Sequence, residues 1–127
     1  MKVLALGAVF VALSAGAAFA AGDATAGATV FKKCAVCHSI GDGAVNKIGP
    51  ILTGVVGRVA GTEAGFNYSP AMVDAGKGGL TWTEADLSEF LHKPSDKVKG
   101  TKMTFPGLPN QTDIDNVVAY LASMPAK

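Results

Sequence analysis

Apolar residues recur at helical spacing in several stretches of this chain and lose that order between them. Residues 22–40 are expected to open with a helix. Asp23 suits its N-cap, and Val30, Phe31, Cys34, Val36 and Cys37 form an apolar side at mixed i+3/i+4 spacing. Gly27 lies four residues before Phe31 on the same face. A glycine there costs helix stability, so it predicts close packing against another helix. Residues 69–76 read as a short helix, with Ser69 as cap, Pro70 at the first position and Gly76 after the end. Thr83 to Asp86 resembles a capping box, followed by Leu87, Phe90 and Leu91 on one face, with Pro94 as the stop. Thr112 to Asp115 caps a last helix, in which Ile114, Val117, Val118, Leu121 and Met124 share a side. Residues 41–65 are glycine-rich and without period, which predicts a long loop with turns. No strand and no repeat is evident, so the expected class is all-α with four to five helices.

The first twenty residues stand apart. Lys2, an apolar run from Val3 to Leu13, and Ala18-Phe19-Ala20 match a secretory signal peptide cut after Ala20. Ser14 and Gly16 interrupt the apolar run, whereas a spanning helix wants about 20 apolar residues. Cleavage is therefore preferred over a retained membrane anchor. The expected organisation is a leader over 1–20 and one domain over 21–127. The location that follows is the periplasm.

The most specific local chemistry is Cys34-Ala35-Val36-Cys37-His38. A C-x-x-C-H run reads as an attachment site for a c-type haem. Two thiols three positions apart can each add to one of two neighbouring vinyl groups. His38 then lies under the ring as an iron ligand. A thioredoxin-type site would need a preceding strand, and a zinc site would need a second ligand pair. His92 is the only other histidine.

A covalent haem asks the rest of the chain for a sixth ligand and a pocket. Met72, Met103, Met124 and His92 are the candidates. Met103 sits in a polar loop, Gly100 to Gly107, where an isolated methionine is a poor core residue. Met72 and Met124 fall on helices, where packing explains them. His92 falls at a helix C-terminus, where it suits the dipole. Met103 is the preferred ligand and His92 the second. The Pro50 carbonyl is the expected acceptor for the non-ligating N–H of His38. Arg58, a lone cation among small and apolar residues, suits a haem propionate, with simple exposure as the other reading.

Charge adds little in bulk. Without Lys2, ten Lys and Arg balance ten Asp and Glu, which gives no support for a nucleic-acid binder. Its distribution matters more. Lys32 and Lys33 precede the motif, Lys93, Lys97, Lys99 and Lys102 cluster later, and Asp113 and Asp115 lie elsewhere. Such separation orients a partner.

Taken in order, Cys34-x-x-Cys37-His38, Gly49-Pro50-x-Leu52, Arg58, Phe66-Asn67-Tyr68-Ser69, Thr81-Trp82 and Lys99 to Met103 resemble class I cytochromes c of the cytochrome c2 and mitochondrial-type group. The resemblance spans residues 22–124. It implies an all-helical fold wrapped around one covalently bound haem c, with the first and last helices crossing so that Gly27 and Phe31 meet Tyr120. It implies that Arg58, Tyr68 and Trp82 surround the propionates and that Thr101 fixes the loop beside Met103. It also implies that Lys33, Lys102 and neighbours ring an exposed haem edge. Phe90 and Met72 depart from the group's usual tyrosine and asparagine, which predicts a drier distal pocket.

Iron held by His38 and Met103 has no open position, so it changes oxidation state rather than binding substrate. Thioether ligation and an apolar shell both favour ferrous iron. The expected function is a soluble, monomeric electron carrier and not an enzyme. It would shuttle between a membrane donor such as a cytochrome bc1 complex and an acceptor such as a reaction centre or terminal oxidase. Lys32, Lys33, Lys97, Lys99 and Lys102 would steer transient redox partners. The alternative is a haem peroxidase or gas-binding protein with a labile sixth ligand.

Overall fold

The computed structural model describes residues 22–127; the leader expected over 1–20 lies outside them. Five helices occur in this span: α1 (Ala24–Phe31), α2 (Pro70–Lys77), α3 (Glu84–His92), α4 (Pro94–Lys97) and α5 (Gln111–Ala122).

Helix α1 starts where expected. The Asp23 carboxylate accepts from the N–H groups of Thr25 (2.8 Å) and Ala26 (3.3 Å). It ends earlier than its apolar pattern suggests. Beyond Phe31 the chain turns through a mixture of i−3 and i−4 bonds, including Cys34 N to Phe31 O at 2.7 Å and Cys37 N to Cys34 O at 3.0 Å. The tighter turns break the 3.6-residue register. Val36 consequently points outward, 73% exposed, rather than continuing the buried side.

Helix α5 begins earlier than expected. Asn110, not Thr112, is its cap, accepting from the N–H groups of Thr112 and Asp113. Its inward stripe of Ile114, Val117, Val118 and Leu121 is buried. Each such side chain contributes about 1.5–3 kcal/mol when removed from water.

Helices α1 and α5 cross at Gly27. A Cβ there would stand 1.9 Å from the Asn116 carbonyl oxygen and 2.8 Å from Tyr120 Cβ. The glycine is therefore a condition of the crossing. Phe31 packs on Tyr120 with ring centroids 5.3 Å apart, and Asp23 N donates to Asn116 Oδ1 at 2.8 Å.

Helix α2 has the expected Ser69 cap and Pro70 start. It runs through Gly76 to Lys77 instead of stopping before it. Gly76 is needed for packing: a Cβ would stand 1.9 Å from the Ala60 carbonyl oxygen. Thr83 caps α3, exchanging bonds with Asp86. Pro94 follows the end of α3 and also starts the short α4. Residues 41–65 form the expected loop. Among the described residues one isolated antiparallel bridge, Val59 to Thr81, ties it to the segment before α3. Gly57 N to Trp82 O at 2.7 Å and Trp82 N to Arg58 O at 2.8 Å extend that tie and bring Arg58 beside Trp82.

Candidate functional site

The turn after α1, the loop, α2, α3 and the segment before α5 enclose a cavity of about 500 Å³. Cys34, Cys37 and His38 line one part of it. Both thiols are free, and burial pushes the Cys34 thiol up, with nearby Lys33 pulling it down and Cys37 up again.

His38 is fixed by its neighbours. Its Nδ1 lies 2.8 Å from the Pro50 carbonyl oxygen, the partner expected from sequence. A carbonyl only accepts, so Nδ1 carries the proton and Nε2 keeps its lone pair. Gly49 makes the cradle. A Cβ at that position would fall 2.3 Å from Cε1, 2.6 Å from Nδ1 and 2.7 Å from Nε2 of the ring. Burial pushes the imidazole below its ordinary value; the Pro50 bond opposes this, and Lys47 and Arg58 reinforce it.

Met103 and Met72 both line the cavity. Met103 is half-buried, and its N–H donates to Thr101 Oγ1 at 3.2 Å. His92 is exposed at the end of α3, and neither His92 nor Met124 lines the cavity. Thus two of the four candidate ligands share a cavity with His38, and Met72 is one that helical position alone assigned to packing.

Arg58, Tyr68 and Trp82 form a further wall. Trp82 is buried and packs against Phe90 at 4.9 Å between centroids. Phe90 and Met72 present a ring and a thioether to the same cavity. Arg58 is not simply exposed. Its Nη1 donates to Glu63 Oε2 at 2.7 Å and its Nη2 to the Ile51 carbonyl at 3.0 Å. Glu63 carried no signal in the sequence. Burial raises the Tyr68 phenol, while the Glu63 backbone bond and Arg58 pull it down, so the hydroxyl stays protonated near neutrality.

At the mouth, Lys33 and Lys102 line the opening beside Val36 and Ile48, both exposed apolar residues. Lys102 lies over the Phe66 ring, 5.0 Å from its centroid, and bonds the Asn67 carbonyl. Lys32 and Lys99 are exposed. Lys97 departs from the expected cluster: its ammonium bonds Asp86 Oδ1 at 2.8 Å and Glu89 Oε2 at 2.5 Å. Two carboxylates on α3 offset its charge, because α4 folds the lysine back onto that helix.

The cytochrome c family model matches residues 24–125. The chain is 56% identical to cytochrome c2 of Rhodoblastus acidophilus over 106 residues, 84% of this chain and 96% of that one. It is 45% identical to cytochrome c-554 of Methylosinus trichosporium, over 99% of this chain and 92% of that one. Among solved structures it resembles cytochrome c2 from Rhodospirillum centenum, with a TM-score of 0.77 at 40% identity, covering 83% of this chain and all of that one.

The cavity fits a porphyrin on its own observations. Two free thiols and an imidazole with an available Nε2 stand on its wall, and Gly49 leaves the ring its space. The chain belongs to the cytochrome c family of electron carriers, and its cofactor is one covalently bound haem c, for which Cys34 and Cys37 are the fitting pair of thiols.

Proposed function

We propose that this chain is a periplasmic one-electron carrier whose iron is held by His38 and Met103. The observation that carries the reading is a shared cavity: both thiols, His38 with its Nδ1 committed to Pro50, and Met103 line it, while His92 and Met124 do not; Met72 lines it too, but from helix α2, whereas Met103 comes from a loop. When bound, a haem ligated on both faces supplies a one-electron change of the iron and no site for substrate.

The protein's part is to keep both ligands in place in either oxidation state. The Pro50 carbonyl holds the imidazole tautomer and orientation. Thr101 holds the backbone of Met103. Arg58, Tyr68 and Trp82 would face the propionates, and the apolar Phe90 and Met72 keep the sulfur side dry. Burial in this shell disfavours the extra positive charge of the ferric state.

Partners would dock at the cavity mouth. Lys33 and Lys102, with Lys32 and Lys99 nearby, supply positive charge around Val36 and Ile48. A membrane donor such as a cytochrome bc1 complex and an acceptor such as a reaction centre or terminal oxidase suit such an edge. Redox encounters of this kind bury less than about 1,200 Å² and separate quickly. Their charges act on association rate and weaken with salt. The carrier would work as a monomer.

The test is the near-infrared sulfur-to-iron band of the ferric protein. It should be present, survive Met72→Ala and vanish in Met103→Ala. The ferrous wild-type protein should give no spectral change with carbon monoxide. A readily formed carbon monoxide adduct would favour the gas-binding alternative and end this reading.

A further inference from the structure

Arg58 reaches the cavity already paired. The Arg58 and Glu63 side chains are 15% and 22% exposed, and their contact is 2.7 Å. The backbone N–H of the same Glu63 donates to the Tyr68 hydroxyl at 3.0 Å. Arg58 and Tyr68 line the cavity and Glu63 does not. One acidic residue therefore organises two of the polar groups on this wall.

The donor count shows what remains. A guanidinium has five N–H donors, and Glu63 and Ile51 engage Arg58 through Nη1 and Nη2. Donors are left for a second carboxylate. Tyr68 accepts from Glu63 through its oxygen, so its own proton is free to donate into the cavity.

We propose that Glu63 is a positioning residue that sets the charge of this wall and so lowers the carrier's redox potential. The inference rests on the reading of Arg58 and Tyr68 as the propionate wall. Arg58 alone would offer that wall one full positive charge. Glu63 offsets it, so a cofactor carboxylate shares its cation with a protein carboxylate. Ferric haem carries one more positive charge than ferrous haem, and a fixed negative charge nearby favours it. The pair is mostly shielded from water, so the interaction is stronger than between exposed charges.

The test is the midpoint potential of the haem-loaded protein in wild type, Glu63→Gln and Glu63→Asp. Glu63→Gln keeps an acceptor oxygen for Arg58 and the backbone bond to Tyr68 but removes the charge. Its potential should rise above wild type, by less at high ionic strength. Glu63→Asp keeps the charge and should stay near wild type. An unchanged potential in Glu63→Gln, or equal shifts in both variants, would overturn the proposal. Equal shifts would mean that shape rather than charge matters. The near-infrared band, recorded on the same samples, reports separately on Met103, because the charge effect does not depend on the sixth ligand.

Discussion

The segments that carry His38 and Met103 are built differently. Around His38 the backbone is tied at several points, and so is the ring. His38 N bonds Cys34 O at 2.9 Å, Gly49 N bonds Cys37 O at 2.8 Å, Leu52 N bonds Ser39 O at 3.0 Å, and the ring bonds Pro50. The imidazole is positioned by covalent geometry and by these backbone bonds. Met103 lies on a stretch held mainly at its ends, by Thr101 N to Val98 O at 3.1 Å and Leu108 N to Leu91 O at 2.8 Å. Between them the backbone makes one bond, Met103 N to Thr101 Oγ1, and the Lys102 side chain bonds the Asn67 carbonyl. Where backbone bonds are few, local opening is cheap. The sulfur side should therefore be the first to release.

The largest expected effect breaks the rigid side. Gly49→Ala forces a methyl group into the His38 ring. Overpacking of this kind costs about 1–3 kcal/mol or more. Denaturant unfolding of the haem-loaded protein should show that loss, and the ferric spectrum should show disturbed histidine ligation. A normal spectrum with unchanged stability would mean that the glycine cradle is not what places the ring.

Next comes the sulfur side. Met103→Ala removes a half-buried side chain, at about 1–2 kcal/mol. The near-infrared band should disappear and the ferrous protein should then bind carbon monoxide, while His38 remains ligated. Loss of the histidine together with the methionine would contradict the independence of the two segments.

A smaller change sharpens the contrast. Thr101→Val deletes the oxygen that accepts from Met103 N, a bond worth about 0.5–1.5 kcal/mol. On heating, the sulfur-to-iron band should fade at a lower temperature than in wild type, with global unfolding shifted less.

The smallest effect concerns the base of the Met103 loop, where Lys97 clasps α3. Its pairs with Asp86 and Glu89 are partly exposed, so Lys97→Met should cost about 0.5–1 kcal/mol. The pH dependence has a definite sign. Lys97 holds the Asp86 carboxyl below its ordinary 3.8, and Asp86 with Glu89 raises the Lys97 ammonium above its ordinary 10.5. The carboxylate's contribution is full above 3.8 and is lost as pH falls through the depressed value. The ammonium's contribution is full below 10.5 and is lost as pH rises through the elevated value. Wild type and Lys97→Met should therefore differ most between these limits and converge at both extremes.

Much of the architecture was legible because it is local. Asp23, Ser69 and Thr83 cap helices as their chemistry predicts, since each carboxylate or hydroxyl satisfies amides within three residues. The helix ends were less legible. An apolar pattern cannot tell a helix from the tighter turns after Phe31, so it does not reveal that Val36 turns outward. Gly76 read as a stop, because sequence does not reveal that Ala60 approaches it. Lys97 read as free charge, because its carboxylate partners lie eight and eleven residues away on another helix.

What the sequence alone determined is the attachment chemistry. Cys34, Cys37 and His38 are close along the chain, so their geometry follows from one turn of backbone, and the order of motifs identified the family. Tertiary structure decided which remote side chains share that cavity. It admitted Met103 and Met72, excluded His92 and Met124, and set Glu63 against Arg58. Met103, Arg58 and Glu63 lie in segments without helical period, where no local rule fixes direction, and the pattern of α2 does not say what its Met72 faces. Only the closing of the chain upon itself brings Met103 and Met72 to the cavity that His38 lines.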